Sequence, residues 1–116
     1  MFAIDARAHR VIASIPGGKF SNGVVMAPDG TRVYVSNGRD ASIHVIDTAS
    51  NSVVATIAVG QRPWNMAITP DGAKLYVANG RSHTVSVVDT RAGKRIADIP
   101  VGELPWGVVI RGAGLP

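Results

Sequence analysis

The sequence predicts an all-β chain built from repeated four-stranded antiparallel units, and three observations support this. Landmarks recur every 42 residues: Asp47-Thr48 with Asp89-Thr90, Pro28-Asp29-Gly30 with Pro70-Asp71-Gly72, Asn37-Gly38-Arg39 with Asn79-Gly80-Arg81, and Gly18 with Gly60 and Gly102. An unbroken period of this size means supersecondary units that bury their apolar faces on one another. Within each period, Val- and Ile-rich runs too short for a helix alternate with Gly, Pro, Asn and Asp. Several runs are apolar on both faces, as in Val53-Val54-Ala55-Thr56-Ile57-Ala58-Val59, which suits a sheet sandwiched between neighbouring sheets.

Taken in order, the elements begin partway through a unit, because Met1 aligns with Ile43 and Val85. Strands three and four of that first unit are expected at about residues 1 to 5 and 10 to 16. A full unit follows over residues 19 to 60. The next, over 61 to 102, shows all four strands: Asn65 to Thr69, Lys74 to Asn79, Thr84 to Asp89 and Arg95 to Val101. Pro-Asp-Gly joins the first strand to the second, with Pro presetting φ, Asp bonding backbone amides and Gly taking positive φ. Asp-Thr ends the third strand, where short polar side chains cap the next turn. Residues 103 to 116 are expected to supply one more first strand, near 107 to 111, making eleven strands.

Four strands per unit, a period near 40 and doubly buried faces describe the blades of a β-propeller, here an incomplete ring. Tyr34-Val35-Ser36-Asn37, Tyr76-Val77-Ala78-Asn79, Thr84-Val85-Ser86-Val87-Val88-Asp89-Thr90 and Ala55-Thr56-Ile57-Ala58-Val59-Gly60 resemble the YVTN-type repeat of bacterial and archaeal propellers, usually seven-bladed. The segment Ile99 to Ile110 is similar to the C-terminal end of a subgroup found near quinoprotein (PQQ) dehydrogenases. The resemblance implies a periplasmic or extracellular protein, although Met1-Phe2-Ala3-Ile4-Asp5 is not itself a secretory signal.

An incomplete ring exposes apolar blade faces at both ends. The expected partners are therefore the remaining blades of a longer propeller or further copies of this chain, with a separate protein partner as a further expectation. No run is long enough to span a bilayer. Twelve Lys and Arg against eight Asp and Glu give a net charge of +4, but the cations are scattered and aromatics are few, so nucleic acid is not an expected partner.

In a propeller, the loops from fourth to first strands and from second to third strands open on one face around the axis. They carry the candidate ligand- or partner-binding residues Lys19, Arg39, Arg62, Trp64, Arg81, His83 and Trp106. Arg39 and Arg81 occupy equivalent positions and form an arc suited to a carboxylate, a phosphate or an acidic surface. The blander reading, and the more common role of such residues, is that each Arg bonds loop carbonyls or a neighbouring acid such as Asp40. Trp64 and Trp106 are equivalent too, each after a Pro, and suit either stacking with a ligand or packing on a neighbouring blade.

No catalytic residue, cofactor or metal is expected from the motifs. Reduced by the period, His9, His44 and His83 fall in three different registers, so they cannot form a ring of ligands. Gly17-Gly18-Lys19-Phe20 lacks the Ser or Thr of a phosphate loop. The leading expectation is a non-catalytic binding or scaffold module. The alternative, carried by the quinoprotein-associated resemblance, is a segment of a redox enzyme or accessory subunit.

Overall fold

The computed structural model describes residues 1–112. Ten strands form three antiparallel sheets, with no helix among the described residues. β1 (Phe2–Asp5) and β2 (Arg10–Ser14) make a hairpin. β3 (Ser21–Met26), β4 (Arg32–Asn37), β5 (Ser42–Asp47) and β6 (Ser52–Ala58) form a meander in sequence order, the first blade. β7 (Pro63–Ile68), β8 (Lys74–Asn79), β9 (Thr84–Asp89) and β10 (Lys94–Pro100) repeat it as the second blade. The chain is thus two propeller blades and the outer half of a third.

Register repeats with the period. Tyr34 lies opposite Val45 and Tyr76 opposite Val87, and a register shift falls at the same place in each first strand, between Ser21 and Val24 and between Pro63 and Met66. Every residue with positive φ also belongs to a 42-residue series: Phe20, Arg62 and Leu104; Ala41 and His83; His9, Asn51 and Gly93; Gly30 and Gly72. The repeat therefore dictates backbone conformation even where bulky side chains must enter the left-handed region at some cost.

Aspartates build the turns. Asp29 accepts the Thr31 N–H at 2.9 Å, Asp71 the Ala73 N–H at 3.0 Å, Asp47 the Ser50 N–H at 3.0 Å and Asp89 the Arg91 N–H at 2.9 Å. The hydroxyls of Thr48 and Thr90 donate to the carbonyls of Gly30 and Gly72, tying the end of each third strand to the Pro-Asp-Gly turn.

The core lies between the blades. Tyr34, Ile43, Val45, Ile57 and Val59 of the first blade pack with Leu75, Val77 and Val88 of the second, and Val25, Met66 and Ile68 close the edge. On the other side of the first blade, Val35 and Ile46 pack with Ile15 of the hairpin segment.

The expected eleventh strand is not formed: residues 107–112 run as irregular chain. A first strand gains its ladder from the second strand of its own blade, and no described residues supply one. Instead, the Asn65 N–H donates to the Trp106 carbonyl at 3.3 Å. The remainder of the expected final segment, 113–116, lies outside the described residues.

Candidate functional site

The loops of one face are tied together by backbone bonds that repeat between blades. The N–H groups of Gly38 and Arg39 donate to the carbonyls of Phe20 and Lys19, and those of Gly80 and Arg81 to the carbonyls of Arg62 and Gln61, at 2.7 to 3.1 Å. Each loop pair is then latched by a side chain: Asp40 accepts the Lys19 N–H at 2.7 Å, and the Ser82 hydroxyl accepts the Gln61 N–H at 2.7 Å. Asp40 thus bonds backbone across the loops, and the Arg39 guanidinium lies elsewhere, 4.2 Å from the centre of the Phe20 ring.

Arg62 joins the two aromatic groups of the face. Its guanidinium stands 5.3 Å from the Phe20 ring centre and 5.6 Å from that of Trp64. Trp64 stacks on Trp106. A glycine makes room for this: a Cβ on Gly80 would meet the Trp64 indole at 2.5 Å. A continuous series results, Arg39 on Phe20, then Arg62, Trp64 and Trp106.

Two adjoining clefts open along it. The first, about 300 Å³, is lined by Gly38, Arg39, Gln61, Arg62 and Arg81. The second, about 140 Å³, is lined by Arg62, Trp64, Gly80, Arg81, Leu104 and Trp106. Among the described residues the ion pairs are Arg32 with Asp47 and Arg95 with Asp98, so the three cleft arginines have no carboxylate neutralising them. Three arginines lining one cleft make a cationic site whose side chains are bidentate donors, and the indole pair beside it offers a flat apolar wall.

Of the sequence-derived candidates, Arg39, Arg62, Arg81, Trp64 and Trp106 line these two clefts. Lys19 and His83 line neither. Lys19 contributes its backbone to the loop latch, and His83 Nδ1 accepts the Leu104 N–H at 3.1 Å, pinning the segment that carries Trp106. Sequence reasoning missed Phe20, Gln61 and Leu104. The period held a signal for two of them, since Phe20, Arg62 and Leu104 are equivalent positions sharing φ of 53° to 58°.

Residues 2–107 match the family model of the cytochrome D1 heme domain. The chain belongs to that family. Among solved structures, this cytochrome D1 domain chain is similar to hydrazine synthase of Kuenenia stuttgartiensis, with 36% identity and a TM-score of 0.75 over 81% of this chain and 27% of that one. It is also similar to the dihydro-heme d1 dehydrogenase NirN, solved in complex with DHE, with 27% identity and a TM-score of 0.76 over 85% of this chain and 21% of that one. A protein of unknown function from Desulfotomaculum acetoxidans shares the fold at 18% identity, with a TM-score of 0.81 over 93% of this chain and 37% of that one. The cytochrome D1 domain chain thus spans less than a third of the length of the first two. No curated protein matches it.

Proposed function

We propose that this chain is a segment of a heme-dependent redox enzyme or of its accessory propeller subunit, and that its loop face takes part in holding a tetrapyrrole. This is the redox alternative that the sequence offered beside the scaffold reading. The single observation that supports it most is the convergence of Arg39, Arg62 and Arg81 on one cleft beside the Trp64–Trp106 pair, in a chain of the cytochrome D1 heme domain family.

The residues fit the rim of such a group. A tetrapyrrole bears carboxylates on a flat apolar ring, and guanidinium forks suit the former while indole faces suit the latter. Bound heme iron supplies one-electron redox chemistry. Arg39, Arg62 and Arg81 would hold the carboxylates, and Trp64 and Trp106 would shield part of the ring. The periplasmic or extracellular location implied by the YVTN-type and quinoprotein-associated resemblances goes with this reading, as does docking to the further blades of a longer propeller.

The test is titration of the chain with a ferric heme carrying free carboxylates, followed by its Soret band. Binding that perturbs the band, and that weakens about ten- to a hundredfold in Arg62→Ala as a charge-assisted bond predicts, supports the reading. A Soret band unchanged by the native chain sinks it.

A further inference from the structure

The free faces at the two ends of this chain are copies of faces that are buried inside it. The first blade meets the second through Val25, Tyr34, Ile43, Val45, Ile57 and Val59. One period later stand Ala67, Tyr76, Val85, Val87, Ile99 and Val101, on the face of the second blade that no further blade covers among the described residues, although Val87 is itself buried. Every one is apolar or aromatic, yet Ile99 is 45% exposed where Ile57 is 3%, and Val101 is 40% exposed where Val59 is 6%. The outer part of this interface, at Ile99 and Val101, stays open.

The other half exists at the opposite end. The second blade receives the first through Met66, Ile68, Leu75, Val77 and Val88, and their equivalents one period earlier are Val24, Met26, Val33, Val35 and Ile46. The hairpin covers Val35 and Ile46 but leaves Val24 67% and Met26 56% exposed. Between them and Phe2 lies an apolar groove of about 240 Å³. The hairpin beside it holds the third and fourth strands of its blade.

We propose that a second copy of this chain occupies the groove, docking head to tail. The free face of one copy's second blade turns toward the hairpin end of the next, and its residues 107–111 lie over Val24 and Met26. Register selects this occupant over a generic apolar partner. Val109 stands two periods after Val25, at the place in the repeat from which Val25 closes the core alongside Met66 and Ile68, and it is 94% exposed. Its segment has no ladder of its own to satisfy. The contact is heterologous, with one head and one tail per copy, so assembly proceeds to rings or short filaments. It does not depend on the tetrapyrrole reading.

That geometry makes a test in which destabilisation cannot mimic success. Val24→Glu blocks the head, and the double variant Ile99→Glu with Val109→Glu blocks the tail; all three side chains are exposed, so the strand content seen by circular dichroism is expected to stay native. Light scattering of the native chain should give a mass above the 12.1 kDa of one copy, rising over about two decades of concentration. Each blocked variant should remain at one copy alone, with association weakened at least about tenfold. Mixed in equal amounts, the two should form a particle of twice that mass, because the intact tail of one meets the intact head of the other. A native chain that stays at 12.1 kDa throughout overturns the proposal and leaves the end faces to other blades. So does a blocked variant that still assembles alone, or a mixture that stays monomeric.

Discussion

Trp64 and Trp106 stand 42 residues apart and stack with ring centres 4.8 Å apart and planes inclined by 28°. Trp64 lies at the head of the second blade, on Gly80, and Trp106 lies on the segment that His83 pins down. One repeat position, filled twice by the same residue, becomes a single aromatic surface at the edge of the arginine cleft. In the first blade the equivalent residue is Asn22, whose amide reaches the Pro63 carbonyl at 3.5 Å.

Removing the outer ring should leave the fold and change the spectrum. Trp106→Ala is expected to abolish the exciton signal of the stacked pair in near-ultraviolet circular dichroism while costing only about 1 kcal/mol, since aromatic pairs contribute ~0.5–1.5 kcal/mol beyond area. Chemical denaturation with parallel near-ultraviolet spectra checks both halves.

Glycines of the repeat are not equally replaceable. Gly80→Ala drives a methyl into the indole of Trp64 and is expected to cost about 1–3 kcal/mol, with an altered tryptophan emission. Gly93 has positive φ but open space, and Asn51 and His9 already occupy its position in the other copies. Gly93→Asn should therefore change stability by only about 0.5 kcal/mol. Equal costs for the two variants would contradict the packing described.

Ser21 completes a buried amide network that the second blade leaves open. Its hydroxyl donates to Asn37 Oδ1 at 3.0 Å, whereas the equivalent residue in the second blade is Pro63 and Asn79 Oδ1 has no partner. Ser21→Ala should thus orphan an acceptor on a fully buried side chain and lower stability by about 1–2 kcal/mol, read from the midpoint of urea unfolding.

Acid should loosen the turns. Backbone bonds from Ala8 and Arg7 hold the Asp5 carboxyl below the ordinary 3.8, and bonds from Thr31, Ser50 and Thr69 chiefly do the same for Asp29, Asp47 and Asp71. A depressed folded-state pKa means that the stabilisation is fully present above the ordinary carboxylate value and is lost as pH falls from there through the folded value. Melting temperature should be flat near neutrality and fall below about pH 4, and Asp29→Asn with Asp71→Asn should flatten that fall. A pH slope identical in the variant would remove these carboxylates as its source.

Fold class was legible because it is written locally and repeatedly. Lys74 to Asn79 and Thr84 to Asp89 are strands with the bounds expected from their Val-rich runs between turn residues. The expected final strand does not form for a physical reason: Gly107 to Arg111 has strand composition, but a strand is a pairing, and composition does not show whether a partner is present. The loop face was legible as a set of positions. What Arg39 touches was not, because by sequence Asp40 is a natural neighbour for it, whereas in the fold the Asp40 carboxylate lies on the Lys19 amide.

By itself, then, the sequence determined the period, the four-strand unit, the turn chemistry and the positions that share a face, all consequences of residues within one repeat. Tertiary structure alone decided the rest: that Phe20 lies beneath two arginines, that Arg39, Arg62 and Arg81 share a cleft with no carboxylate lining it among the described residues, and that two tryptophans meet. Those contacts join residues about twenty to forty positions apart. Their geometry follows from how adjacent blades are rotated against each other, a quantity set by packing across the whole interface and carried by no single stretch of chain.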